Sequence, residues 1–183
     1  MKTCLKLFAV ISVCLLSAGA LVAQTTGTVT ANSSAEIVAP LVIADNSGMA
    51  GGTTLNFGRM TISPTQSGTS ILSAANVRTV TNGVIAVEAS TTSTASFSVN
   101  GKAGSTYAIT LPAGPVAITR SGGPETMTVT AFTALPASAG VEQLTGTLVG
   151  GTDTFTVGGT LQVNANQAEG IYNGTFNVTI AYN

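Results

Sequence analysis

The sequence predicts an all-β fold, and three observations carry that reading. Apolar residues recur with a period of two in short segments, Phe97/Val99, Tyr107/Ile109/Leu111, Met127/Val129, Leu144/Leu148, Phe155/Val157 and Leu161/Val163, with small or polar residues between them. Turn-forming pairs punctuate these segments at the short intervals expected of a sandwich or barrel. Nothing beyond residue 23 shows an apolar stripe of helical period. The clearest segment is 170–183, where Tyr172, Phe176, Val178, Ile180 and Tyr182 share one strand face. Asn173, Thr175, Asn177, Thr179 and Ala181 take the other face, so one side is expected to be buried and the other wet. A slip of one residue would expose every aromatic ring, which pins the register.

Taken in chain order, residues 1–23 read as a secretory signal: Lys2 and Lys6 start it, 7–16 are apolar, and 17–23 are mostly small. Cleavage is expected after Ala23, with Ala20 as the alternative. The apolar run is shorter than the roughly 20 residues of a membrane span, and no later stretch approaches that length. No integral membrane segment is therefore expected after signal removal. Residues 24–35 form an extended arm that alternates small residues with threonine and carries only Val29 as a substantial apolar side chain. Residues 36–183 follow as a single domain.

Within that domain the first long strand is expected over 36–44, where Pro40 demands an edge position or a bulge. Leu55 and Phe57 read as core. The tract 90–96 reads as a loop and an exposed strand face. Asn82-Gly83 and Asn100-Gly101 supply the positive φ that tight hairpins need, whereas Asn173-Gly174 falls inside the final pattern and reads as a bulge or irregular start. Glycine pairs at 51–52, 122–123, 150–151 and 158–159 mark further turns, the last two bracketing 152–157 as a short strand.

Composition removes whole classes of function. The chain has no histidine, and Cys4 and Cys14 lie in the signal, so imidazole and thiolate catalysis, the matching metal sites and a disulfide are all unavailable to the mature protein. Charged residues are 7% of the chain against about 25% in ordinary domains. The mature chain keeps four cations, Arg59, Arg78, Lys102 and Arg120, against seven acids, too few for a phosphate-tracking stripe, so no nucleic-acid partner is expected. Lys102 near Ser105 is the one conceivable Ser/Lys dyad, but a lysine in a hairpin is expected to be solvated. Carboxylate pairs would have to come from Glu88, Glu125, Glu142, Asp153 or Glu169, none close in sequence to another, and the absence of tryptophan removes the usual sugar-stacking platform. Asp45-Asn46-Ser47-Gly48 reads as a side-chain-capped turn rather than a calcium loop. The sequons at Asn32, Asn173 and Asn177 are given no role in so threonine-rich a chain. No catalytic residue, cofactor or metal is expected.

The end of the chain resembles the terminal strand of chaperone-usher pilus subunits, with Gly170 fourteenth from the end and Tyr182 next to last. With the β-prone arm and Leu55-x-Phe57-Gly58, and with the runs 97–101, 107–112 and 157–161, most of the mature chain also resembles a family of pilin-like secreted bacterial domains of unknown function. It departs from many pilins in lacking a cysteine pair, and its arm lacks their row of large apolar residues. The resemblance implies an immunoglobulin-like (pilin-like) antiparallel β-sandwich in a non-enzymatic fimbrial or adhesive surface protein. It implies a periplasmic chaperone and outer-membrane usher in transit, self-association at the cell surface, and assembly by strand complementation. Gly170, Tyr172, Phe176, Val178, Ile180 and Tyr182 would then face chaperone or neighbour, and Val29 would lie on the donor arm. The alternative expectation is a self-complete secreted sandwich that binds a surface glycan or protein.

Overall fold

The computed structural model describes residues 28–46 and 54–183. The expected signal, both cysteines, residues 24–27 of the arm, Ser47-Gly48 and Gly51-Gly52 lie outside the described residues. The chain divides into two units, 1–36 and 37–183. In the first, residues 28–36 are exposed and form no strand.

The second unit is all-β and antiparallel. Its strands are β1 (Val42–Asp45), β2 (Met60–Ile62), β3 (Gly68–Leu72), β4 (Arg78–Asn82), β5 (Val84–Ala86), β6 (Ala95–Asn100), β7 (Thr106–Thr110), β8 (Val116–Arg120), β9 (Thr126–Pro136), β10 (Thr145–Thr147), β11 (Thr152–Val163), β12 (Tyr172–Asn173) and β13 (Thr179–Tyr182). A curled eight-stranded sheet runs β1-β6-β11-β9-β8-β12, with the β3-β4 hairpin joined to it through β11. Two small sheets, β10-β7-β13 and β2-β5, complete a sandwich-like arrangement. The first strand starts at Val42 rather than at residue 36, two residues after Pro40, which has no N–H for a ladder. It lies at the sheet edge, paired with β6 alone.

Strand β11 organises the rest. Along one side it pairs with β9; along the other it pairs first with β6, through 152–157, and then with β3, through 159–163. The exchange of partners falls at Gly158-Gly159, which the sequence suggested as a turn and which instead lies inside a twelve-residue strand. The reason is steric. A Cβ on Gly158 would stand 2.3 Å from the Leu72 carbonyl oxygen and 2.5 Å from the Ala74 nitrogen, so only glycine lets the end of β3 approach there. Opposite, β9 absorbs one extra residue, for the pairing steps from Gly158↔Thr133 to Thr160↔Thr130 and Ala131 takes φ 46°. This bulge switches the inward positions of β9 from Met127 and Val129 to Phe132, Ala134 and Pro136 while keeping them on one face.

Two clusters fill the interior. One gathers Val99, Tyr107, Ile109, Leu148, Phe155 and Val157 beneath the sheet β10-β7-β13. The other gathers Phe57, Leu72, Val84, Val129, Leu161 and Val163 near β2-β5. Leu55 and Phe132 pack against both. Fully burying one such large side chain contributes about 1.5–3 kcal/mol. Asn82-Gly83 and Asn100-Gly101 are not hairpin turns: β4 and β5 belong to different sheets, as do β6 and β7, so each pair carries the chain between layers. Gly122-Gly123 does close a hairpin, between β8 and β9, and there Arg120 donates to Glu125 at 2.6 Å. That bond is the main reason the Glu125 carboxyl is held below its usual range.

Candidate functional site

The terminal segment is one continuous pattern in sequence but two elements in space. At its start Gly170 takes φ +146°, and a Cβ there would press on the Arg120 side chain, so the position needs glycine twice over. Strand β12 then pairs with β8 through Tyr172↔Arg120 and Asn173↔Thr119. The Tyr172 hydroxyl donates to the Ala168 carbonyl at 2.7 Å and accepts from Gln167 Nε2 at 2.8 Å, which folds the ring onto its own loop. The chain leaves the large sheet at Gly174, whose missing Cβ makes room for Ile118. It enters the small sheet as β13, paired with β7 from Thr179↔Thr110 to Tyr182↔Tyr107. Phe176, Val178, Ile180 and Tyr182 are half-buried and pack against the first core cluster, with Phe176 5.0 Å from the ring of Phe132. The intervening Thr175, Asn177, Thr179 and Ala181 are exposed. None of the apolar positions is fully enclosed, because β13 is the last strand of its sheet and nothing among the described strands pairs with its far side.

Tyr182 is committed within the chain. Its hydroxyl donates to the Ala39 carbonyl at 2.9 Å and accepts the Lys102 N–H at 2.7 Å, joining the terminal strand to the β6–β7 turn and to the segment ahead of β1. Val29, on the arm, is 90% exposed.

The chemistry-bearing residues lie apart from this segment. Asp153 is 9% exposed and faces the core on β11, on the same side as Phe155 and Val157. Its carboxylate accepts from the Tyr107 hydroxyl at 2.9 Å, from the Ser138 N–H at 3.1 Å, from its neighbour Thr154 N–H at 2.8 Å and from the Ser138 hydroxyl. The Ser138 oxygen in turn accepts the Thr147 N–H. Burial first, and the bond to Asp153 second, push the Tyr107 phenol well above its ordinary range. With the serine hydroxyl spent on the carboxylate, the arrangement anchors the loop after β9 onto β11 and β7. Sequence reasoning placed Asp153 only in a tally of scattered acids. The available signal was its parity, an acid in register with Phe155 and Val157 on an inward face.

The other acids serve local geometry. Glu142 accepts from the Ala74 N–H at 2.9 Å, tying the same loop to the end of β3. Glu88 and Glu169 are exposed. Asp45 ends β1 in the open, and Asn46 donates to the Ser96 hydroxyl. Lys102 and Ser105 share a turn closed by the Ser105 N–H on the Lys102 carbonyl. No group of three or more acids, histidines or cysteines that could hold a metal ion occurs among the described residues, nor does a helix long and apolar enough to cross a membrane. A second feature missed in sequence is Arg78, which donates to the Phe57 and Arg59 carbonyls and to Ser90, clamping the Leu55-x-Phe57-Gly58 segment with carbonyl dipoles.

No curated protein and no solved structure matches the chain. A family model does match, over residues 48–182, from beyond β1 to the end of β13. Across well over half its length, then, the chain belongs to the family described as domain of unknown function DUF4402.

Proposed function

We propose that the protein is an exported, non-enzymatic structural subunit of the cell surface, assembling as a pilus-like or adhesive polymer by β-strand complementation. On this reading the fold is an immunoglobulin-like, pilin-like sandwich. The arm 24–35 of one copy adds to the open side of β13 in the next, and a periplasmic chaperone and outer-membrane usher escort the subunit beforehand. The observation that carries the reading is the pairing of two unfinished elements. Residues 28–35 are exposed and form no strand, while β13 presents an edge unpaired among the described strands beside the half-buried Phe176, Val178 and Ile180. An extended segment docking there would gain main-chain hydrogen bonds and cover that row, and the head-to-tail geometry does not close.

Deleting 24–35 should leave a folded subunit that no longer polymerises. A free peptide of the arm should then raise its melting temperature by mass action, and a Val29→Asp peptide should do so less. Polymerisation of the deleted protein would sink the proposal. The Tyr182 hydroxyl favours a second reading, since it already closes the terminal strand onto Lys102 and Ala39. A concentration-independent monomer would make the protein a self-complete binding module for a surface glycan or protein.

A further inference from the structure

The chain has three Asn-Gly pairs, Asn82-Gly83, Asn100-Gly101 and Asn173-Gly174. Such a pair can cyclise on itself, because no side chain shields the glycine nitrogen that must reach the asparagine carboxamide. The fold treats the three differently. Gly83 is buried and its N–H donates to the Ser67 carbonyl at 3.4 Å, and the Gly101 N–H donates to the Gly151 carbonyl at 2.9 Å. Asn100 also lies on an inner strand, paired with β1 on one side and β11 on the other. Gly174 is exposed, and its N–H donates to no group among the described residues. The ladder explains the difference. The Ile171 carbonyl accepts from the Ser121 N–H, so by strand alternation Ile171 and Asn173 turn their main-chain groups toward β8 and Gly174 turns its own away.

We infer that Asn173-Gly174 is a self-modification site, where the chain deamidates with water as the co-reactant. The Gly174 nitrogen gives its proton to solvent and bonds to Asn173 Cγ. The Cγ–Nδ2 bond breaks, the nitrogen leaves as ammonia, and a cyclic imide remains. Water then opens the imide, at the side-chain carbonyl to give aspartate or at the main-chain carbonyl to give isoaspartate, with no change of oxidation state. Isoaspartate routes the backbone through Cβ and lengthens it by one carbon. Two features of the site favour the first step. Strand β12 is two residues long and ends the large sheet, so fraying that brings the two atoms together costs little. Among the described residues the Asn173 carboxamide is held only by its donation to the Ser121 hydroxyl, at 3.0 Å on the surface. The extra carbon would fall where the chain leaves the large sheet for β13, displacing the Asn173↔Thr119 pairing.

The test incubates the mature chain at mildly alkaline pH and follows each Asn-Gly pair by peptide mass mapping and isoaspartyl methyltransferase labelling. In the folded protein Asn173 should convert about tenfold faster than Asn82 or Asn100, whose glycine N–H groups must first give up a hydrogen bond. Unfolding in denaturant should bring the three rates together. Ser121→Ala should speed conversion at Asn173 alone. The aged protein should melt below Asn173→Asp, which gains the charge without the extra carbon. The inference is overturned if Asn173 is not the fastest of the three, if the same ranking persists in denaturant, or if Ser121→Ala leaves Asn173 no faster. It is equally overturned if aspartate forms without isoaspartate, or if the aged protein and Asn173→Asp melt alike.

Discussion

In β11, Phe155 and Val157 are completely enclosed, flanked by β6 on one side and β9 on the other and roofed by β7. In β13, Ile180 and Tyr182 lie on the same cluster with the same alternation, yet stay half-buried, because among the described strands β7 is their only neighbour. The local pattern sets which face turns inward. The number of neighbours sets how far inward it goes, and an edge strand with an apolar face is left short of enclosure by one strand's width.

The sharpest way to break the comparison is to truncate both strands. Phe155→Ala should cost about 3–5 kcal/mol, the range for a large enclosed ring. Ile180→Ala should cost about 1–2 kcal/mol, since only part of its surface is removed from water. Denaturant unfolding reads both values, and equal losses would mean that β13 is covered in solution by something further.

A smaller effect is expected at the polar end of β11. Tyr107→Phe removes one donor from the buried Asp153 carboxylate, a change worth about 1–3 kcal/mol. It should also alter the response to alkali. The Tyr107 phenol is raised from 10.0 in the folded chain, mainly by burial, so its contribution is fully present below pH 10 and is lost as pH climbs above that value. Melting temperatures taken from pH 8 upward should fall more steeply for the parent than for Tyr107→Phe.

The least effect belongs to the outward side of β13. Thr179→Ala should change stability by no more than about 0.5 kcal/mol. A loss matching that of Ile180→Ala would show the register of β13 to be wrong. Ser70→Ala should be neutral or slightly stabilising despite full burial, as the Ser70 hydroxyl finds no partner and its removal leaves none unsatisfied.

What the chain discloses by itself is alternation, and alternation was enough for the all-β class and for the faces of β7, β11 and 175–182, though not for Tyr172, which packs on β8 and its own loop. It was blind to partners. Gly158-Gly159 has the composition of a turn, and only the close passage of Leu72 and Ala74 makes it a kink within one strand. Ala131 carries no bulge signal at all, since the need for an extra residue arises from β11 across the ladder. Asn82-Gly83 and Asn100-Gly101 promised reversals, but of these only Asn82 takes a positive φ, 53°, and whether the chain turns back or is lifted to another layer depends on where the next strand finds hydrogen bonds. The Asp153 and Arg78 networks join residues 46 and 21 positions apart, and no spacing rule reaches that far.

The central place of β11 has a kinetic consequence. The strand that supplies ladder bonds to β3, β6 and β9 occupies positions 152–163, so the middle of the large sheet is delivered only after all three of its partners as the chain is made. Until then β3 and β6 each wait with an open side, and closure must span roughly 90 residues for β3 and roughly 62 for β6, judged from Leu161↔Ser70 and Val157↔Ala95. Long-range pairing of this kind makes for slow folding and a prolonged interval of exposed strand edges. A nascent chain stalled short of residue 152 would therefore be a collection of hairpins without a centre, and the period before β11 arrives is when a holding partner would have most to protect.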